Sequence, residues 1–111
     1  MGKERGEILM KMYERMIKCF IDILVLSELR NGNALSGYDV ITFIHNRFRL
    51  LVSSGIVYSL LYSMERDGLI EGSWDQRKRV YTLTTKGEKT IEVILNANEK
   101  ILYFMKKVLS R

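Results

Sequence analysis

The sequence contains no proline, one cysteine and one histidine. The single cysteine, Cys19, cannot form a disulfide within the chain, which excludes a small secreted fold held together by disulfides. Because Cys19 lies in an apolar run, we expect its side chain to be buried. The single histidine, His45, has no cysteine or second histidine at ligand spacing and no evident nucleophile partner. We therefore predict neither a metal site nor a cofactor, and no enzymatic activity.

The sequence also has no long hydrophobic run. A membrane-spanning helix needs roughly 18 or more apolar residues, and the longest candidate, residues 19–29, is interrupted by Asp22 and Glu28. Charged residues of both signs follow the first methionine, where a secretory signal would have an apolar core. We therefore expect a cytoplasmic protein without a membrane partner.

The chain does have the length of one domain and an excess of positive charge. Its 111 residues carry 18 Lys and Arg against 13 Asp and Glu, a net charge of +5. That length suffices for one hydrophobic core, so residues 1–111 are predicted to form a single domain. The positive charge favours a polyanionic partner, either nucleic acid or an anionic membrane surface.

Hydrophobic periodicity predicts helices in the first part of the chain. Apolar residues recur every three or four positions over residues 4–30, which predicts either one long helix or two helices joined near Lys18. Ser36 is placed to cap a second helix, and Ser53 to cap a third. The segment 49–52 between them is predicted as a loop or a brief strand.

At the end of the third predicted helix, the apolar period changes to two. Residues 69–74 and 79–83 are predicted as the strands of a hairpin with its turn at 75–78. Thr85 and Glu88 form a capping-box pattern that opens one last helix, running nearly to the end of the chain. The predicted fold class is mainly α with a small β-hairpin. The element order is that of a winged helix-turn-helix.

Four segments stand in the order and spacing of one known family. They are Ser36-Gly37-Tyr38-Asp39-Val40 and the stretches 53–61 (SSGIVYSLL), 64–70 (MERDGLI) and 81–87 (YTLTTKG). Together they resemble the PadR family of transcription regulators over about residues 20–90. The sequence departs from the family pattern at Ser54 and Ser59, where the family has prolines, and at Ile56, where it has threonine. The resemblance implies a dimeric DNA-binding winged helix, here in a compact form with a single C-terminal helix.

The third predicted helix and the hairpin carry the candidate DNA contacts. One side of the helix is apolar, whereas the other shows hydroxyls, tyrosines and an arginine. Helix N-terminal amides bind phosphates, and three adjacent cations in the hairpin repel one another unless an anion neutralises them. Trp74 is expected to pack at the base of the hairpin. The predicted DNA-binding residues are Ser36, Tyr38, Ser53, Ser54, Gly55, Tyr58, Ser59, Tyr62, Arg66, Arg77, Lys78 and Arg79.

Both ends of the chain are predicted to mediate dimerisation. The last predicted helix has two apolar stripes, so it needs a partner beyond its own core, and the N-terminal helix is the obvious companion. The layout is then a helical extension (1–18), a winged-helix core (19–84) and a dimerisation helix (85–111). The predicted interface residues are Leu9, Met12, Met16, Ile91, Leu95, Asn98, Leu102, Met105 and Leu109.

These observations predict a sequence-specific, double-stranded-DNA-binding transcription regulator that acts as a homodimeric repressor. A small-molecule effector is left open. Two alternatives stand beside this hypothesis. One is a winged helix that binds proteins without DNA. The other, ranked last, is a membrane-surface protein that uses its N-terminal helix, whose net charge is only +2 over residues 3–18.

Overall fold

A computed structural model describes residues 2–110 of the chain. Within them it contains six helices and one antiparallel hairpin, in the order α1 (Gly2–Cys19), α2 (Ile21–Leu29), α3 (Gly37–Phe48), α4 (Ser54–Arg66), β1 (Ile70–Asp75), β2 (Lys78–Leu83), α5 (Thr85–Asn96) and α6 (Asn98–Leu109). This order confirms the predicted class, mainly helical with a small hairpin. None of the helices in residues 2–110 is long and apolar enough to cross a membrane.

The N-terminal region forms two helices, which is one of the two predicted alternatives. Phe20 leaves the helical conformation, with φ −116° and ψ 18°, and separates α1 from α2. Helix α2 buries four residues in the core, whereas α1 buries none. The expectation that Cys19 is buried is wrong: it is exposed, because it belongs to the last turn of α1 outside the core.

Both predicted serine caps are confirmed. The Asp39 amide donates to Ser36 Oγ at 3.1 Å, and the Ser36 amide donates to Asp39 Oδ2 at 2.9 Å, so α3 opens with a reciprocal capping box. Ser53 Oγ accepts the Ile56 amide at 3.2 Å and opens α4. Residues 49–52 between the two helices form a loop.

The hairpin, which we call the wing, is confirmed, with a tighter turn than predicted. Asp75 pairs with Lys78, so only residues 76–77 connect the strands. At its base, Leu35 and Tyr81 exchange backbone hydrogen bonds of 3.0 and 2.8 Å. The segment before α3 therefore pairs with β2, an interaction that the sequence analysis did not predict.

The C-terminal region departs from the prediction at two points. The cap of α5 is Thr84, whose hydroxyl accepts the Gly87 amide at 3.0 Å, so Thr85 is the first helical residue and not the cap. The predicted single helix is two helices, because Ala97 departs from helical geometry, with φ −100° and ψ 15°. Asparagines flank Ala97 on both sides, and asparagine is a weaker helix former than alanine.

The hydrophobic core is built from α2, α3, α4, the wing and α5. Its fully or nearly fully buried apolar residues are Ile21, Val25, Leu26, Leu29, Val40, Ile44, Val57, Leu61, Met64, Ile70 and Ile91. Ile91 anchors α5 in this core. Helices α1 and α6 contribute no buried residue.

Candidate nucleic-acid interface

Helix α4 presents the two faces that its sequence predicts. Val57, Leu61 and Met64 are buried against the core, while Tyr58 and Tyr62 are exposed on the other side. The remaining candidate contacts of this helix region are also exposed: Ser53, Ser54, Gly55, Ser59 and Arg66. The capped N-terminus of α4 is thus open at the surface, where its first amides can face a phosphate.

A groove joins α4 to the start of α3 and to the wing. It is lined by Ser36, Tyr38, Tyr58, Arg77, Lys78 and Arg79, six of the twelve predicted DNA-binding residues. The fold therefore brings together side chains from three separate segments of the sequence.

Tyr58 reaches this groove because Gly37 has no side chain. A Cβ atom at Gly37 would lie 2.3 Å from Tyr58 Cε1 and 2.6 Å from Cζ, so the ring rests directly on the first residue of α3. A larger residue at position 37 would displace the ring. This contact gives a physical reason for glycine at the first position of α3, the first helix of the helix-turn-helix.

Ser36 lies in the groove region but is only 4% exposed. Its hydroxyl already accepts the Asp39 amide. Ser36 therefore caps α3, and little of its side-chain surface is accessible to DNA. Tyr38, two residues further on, is exposed.

The three wing cations differ in their surroundings. Lys78 Nζ lies 3.8 Å from Asp39 Oδ2, and an Arg79 guanidinium nitrogen lies 2.8 Å from Glu65 Oε2. Of the three, only Arg77 has no carboxylate within salt-bridge distance in residues 2–110. The argument that all three cations require an external anion therefore holds for Arg77 alone.

Trp74 does not pack at the base of the wing as predicted. It pairs across the hairpin with Arg79 near the tip, and it is 67% exposed. The Arg79 guanidinium lies 5.6 Å from the centre of its ring, within the range of a cation–π contact.

Asp39 connects the start of α3 to the wing electrostatically. The pKa of its carboxyl is lowered from the ordinary value, first because the Ser36 backbone amide donates to it, and further because of the Ser36 hydroxyl and Lys78; partial burial opposes these effects. A carboxyl with a lowered pKa stabilises the fold above its unfolded-state pKa, and that stabilisation is lost as the pH falls through the folded-state pKa.

We therefore expect Asp39→Asn to remove part of the acid sensitivity of the protein. At neutral pH the variant should melt at a lower temperature, because its neutral amide accepts the Ser36 backbone amide less strongly than a carboxylate does and has no charge to pair with Lys78. Below about pH 4, near the ordinary aspartate pKa, parent and variant should converge. Thermal melting between pH 7 and pH 2.5 measures this, and parallel pH profiles would contradict it.

The predicted dimer residues occupy different environments. Leu9, Leu95, Asn98, Leu102 and Leu109 are exposed, and Met12, Met16 and Met105 are partly exposed. Ile91 alone is fully buried in the core of its own chain, so it has no surface left for a partner.

Two acidic residues of this region were missed by the sequence analysis. Asp39 could have been found, because it stands three residues after the Ser36 cap in a capping-box pattern. Glu65 belongs to the segment 64–70 of the family resemblance, but nothing in the sequence marked its partner, since Arg79 is 14 positions away and the contact depends on how the wing folds back on α4.

Comparison with known proteins agrees with this architecture. The family model described as "Transcriptional regulator PadR-like family" matches residues 25–93. A PadR family transcription regulator from Clostridium difficile R20291 is 25% identical, with a TM-score of 0.70 over 82% of this chain and 99% of that chain. F93 from STIV, a winged-helix DNA-binding protein, is 29% identical, with a TM-score of 0.62 over 77% and 90%.

A third structure contains DNA. Bacillus subtilis PadR in complex with operator DNA is 26% identical, with a TM-score of 0.58 over 67% of this chain and 45% of that chain. No curated protein matches the sequence. The predicted winged-helix fold is confirmed by these structures, and the family model covers more than half of the chain. The chain therefore belongs to the PadR-like family of transcriptional regulators.

Proposed function

We propose that this protein binds a specific duplex DNA site as a homodimer and represses transcription. The observation that carries the proposal is the single surface formed by the exposed face of α4, the start of α3 and the wing. The family assignment supports a regulatory rather than a catalytic role. A protein that binds chromosomal DNA in this role would act in the cytoplasm.

The geometry of this surface suits a helix-turn-helix contact. In such proteins the N-terminal part of the second helix reaches base edges in the major groove. Here that part of α4 carries a capped N-terminus that is open at the surface and the exposed Tyr58, with Tyr62 one turn further on. We therefore call α4 the recognition helix. Arg77 at the turn of the wing extends the same surface with a cation available to phosphate.

The outer helices support the proposed homodimer. Helix α6 exposes Leu102 by 62% and Phe104 by 66%, and α1 exposes Ile8 and Leu9. Neither helix buries a residue in its own chain. Exposed apolar surface of this extent on amphipathic helices marks a protein interface. In a dimer, the apolar side chains of α1 and α6 would be covered by those of the second copy.

Selection of duplexes from a random DNA pool tests the proposal. We expect enrichment of an inverted repeat whose half-sites are about 34–36 Å apart, or a multiple of that distance. Binding measured by fluorescence anisotropy should weaken steeply with salt. In a plot of the logarithm of the binding constant against the logarithm of the salt concentration, each phosphate contact contributes about −0.9 to the slope. No enrichment and no salt-dependent binding would favour the alternative of a protein-binding winged helix.

The tyrosine hydroxyls of the recognition helix provide a specific test. We expect Tyr58→Phe to weaken binding to the selected duplex by about 1–3 kcal/mol if its hydroxyl bonds a base or phosphate. Loss confined to the selected sequence indicates a base contact, whereas equal loss on every sequence indicates a phosphate contact.

Tyr103→Phe is the matched control for this change. Tyr103 is an exposed tyrosine on α6, outside the proposed DNA surface; its exposure, 63%, lies between those of Tyr58 and Tyr62. Tyr62→Phe tests the next turn of the helix. If Tyr58→Phe and Tyr62→Phe both bind like the Tyr103→Phe control, hydroxyl readout by this helix is wrong.

A further inference from the structure

We infer that Glu65 is a positioning residue that holds the wing against the recognition helix, and that Arg79 serves this contact rather than DNA. The inference rests on the proposed DNA-binding function and assigns the two residues different roles within it. We call Glu65, Arg79 and Gly72 together the Glu65 clamp.

One carboxylate oxygen makes both bonds of the clamp. Glu65 Oε2 accepts the Gly72 amide at 3.1 Å and an Arg79 guanidinium nitrogen at 2.8 Å. Gly72 belongs to β1 and Arg79 to β2, so a single side chain of α4 holds both strands of the wing. Both charged side chains are partly buried, which shields the pair from solvent more than an exposed pair.

The surroundings of Arg79 are shaped to keep its guanidinium in place. A Cβ atom at Gly72 would lie 2.6 Å from an Arg79 nitrogen, so the arginine occupies the space that a side chain would fill. The rings of Trp74 and Tyr81 lie 5.6 and 5.9 Å from the guanidinium carbon. Arg79 is thus held by a carboxylate and two aromatic rings on the face of the wing that is turned toward α4.

The charge of Glu65 supports a positioning role. Glu65 is three residues after Tyr62 and seven after Tyr58, so it lies on the same side of α4 as the proposed DNA contacts. A carboxylate there repels the DNA phosphates and so weakens binding. We therefore expect Glu65 to have a second role that compensates for this repulsion. Arg79 neutralises it within the protein, so the pair adds no net charge to the DNA surface.

The variant Glu65→Gln distinguishes a purely electrostatic effect of the carboxylate from a positioning role, because the two predict opposite changes in DNA affinity. If charge alone mattered, removing a carboxylate beside the DNA surface would tighten binding. If Glu65 positions the wing, the variant should bind the selected duplex about tenfold more weakly, a coupling of ordinary size for a contacting pair. Glu71→Gln is the matched control: Glu71 is an exposed carboxylate on the opposite face of β1, and we expect this variant to bind like the parent or slightly more tightly.

Trp74 reports on the clamp without DNA, since it is the only tryptophan of the chain. We expect Glu65→Gln and Arg79→Gln to raise the acrylamide quenching of Trp74 fluorescence, because the guanidinium leaves its ring, while Glu71→Gln leaves quenching unchanged. Gly72→Ala should give the same rise with both charges retained. Melting curves close to that of the parent would show that each variant is folded. If a charge variant does not fold, the quenching of Gly72→Ala is used in its place.

The binding data then complete the test. We expect each single variant to lose about tenfold in affinity. The double variant Glu65→Gln/Arg79→Gln should also lose about tenfold and not about a hundredfold, because both substitutions break the same contact. Unchanged Trp74 quenching in the folded variants, or a Glu65→Gln protein that binds as tightly as the parent, overturns the inference. If the parent binds no duplex, the proposed function fails, and the quenching experiment alone decides whether Glu65 positions the wing.

Discussion

Replacing Gly87 with alanine is expected to lower the free energy of unfolding by about 3 kcal/mol or more, the upper end of overpacking effects. A Cβ atom at this position would lie 2.0 Å from the Leu69 carbonyl oxygen and 2.8 Å from Leu83 Cδ1. The nearest obstacle is backbone, which cannot rotate aside as a side chain can. Relief would require α5 to move away from the wing base and to withdraw Ile91 from the core.

Gly55→Ala is the matched control for this prediction. Gly55 also lies in the first turn of a capped helix, but an added Cβ would meet nothing within 4 Å. Its stability should stay unchanged or rise slightly, because alanine is a better helix former. Thermal and urea melting would measure both variants, and equal melting temperatures would contradict the close approach of α5 to residue 69.

The second large effect concerns α6. We expect Leu102→Lys combined with Phe104→Lys to convert the proposed dimer into a monomer, because both side chains are exposed in the single chain and lysines would have to be buried in the proposed interface. Sedimentation should then give the 13.0 kDa chain mass instead of twice that value. DNA affinity should fall by about 10²- to 10⁴-fold, since the second half-site is no longer held at high effective concentration.

The direction of this effect makes it diagnostic. Two added lysines alone would strengthen attraction to DNA, so a large loss must come from lost assembly. Glu99→Lys adds positive charge to the same helix without removing an apolar side chain, and we expect it to remain dimeric. A Leu102→Lys/Phe104→Lys protein that sediments as a dimer would remove α6 from the interface. Truncation before Thr85 is a poorer test, because it would also remove Ile91 from the core.

The sequence was sufficient for features that depend on local spacing. The caps at Ser36 and Ser53, the two faces of α4 and the hairpin each follow from residues within about one or two helical turns of each other. The four segments of family resemblance lie within these elements. For this reason the fold class and the family were predictable without coordinates.

The errors have both distant and local sources. Arg79 reads as a free cation in sequence, but Glu65 reaches it only after the wing folds onto α4. Trp74 was expected to be covered, yet it is exposed near the tip of the wing, where its position beside the predicted turn had already placed it. The joint at Ala97 carries neither glycine nor proline, and its only local signal for a break between α5 and α6 is the pair of flanking asparagines, which the prediction of a single helix overlooked.

The backbone pairing of Leu35 with Tyr81 has a consequence for the order of folding. These residues are far apart in sequence, and closing so long a loop costs entropy that is recovered only when α3 and α4 are already packed between them. We therefore expect β2 to dock late, after the helices, and to open only when the helical core does. The Tyr81 amide, bonded to Leu35 at 2.8 Å, should then exchange its hydrogen as slowly as the amides of the central helices, while the amides near the tip of the same hairpin exchange much faster.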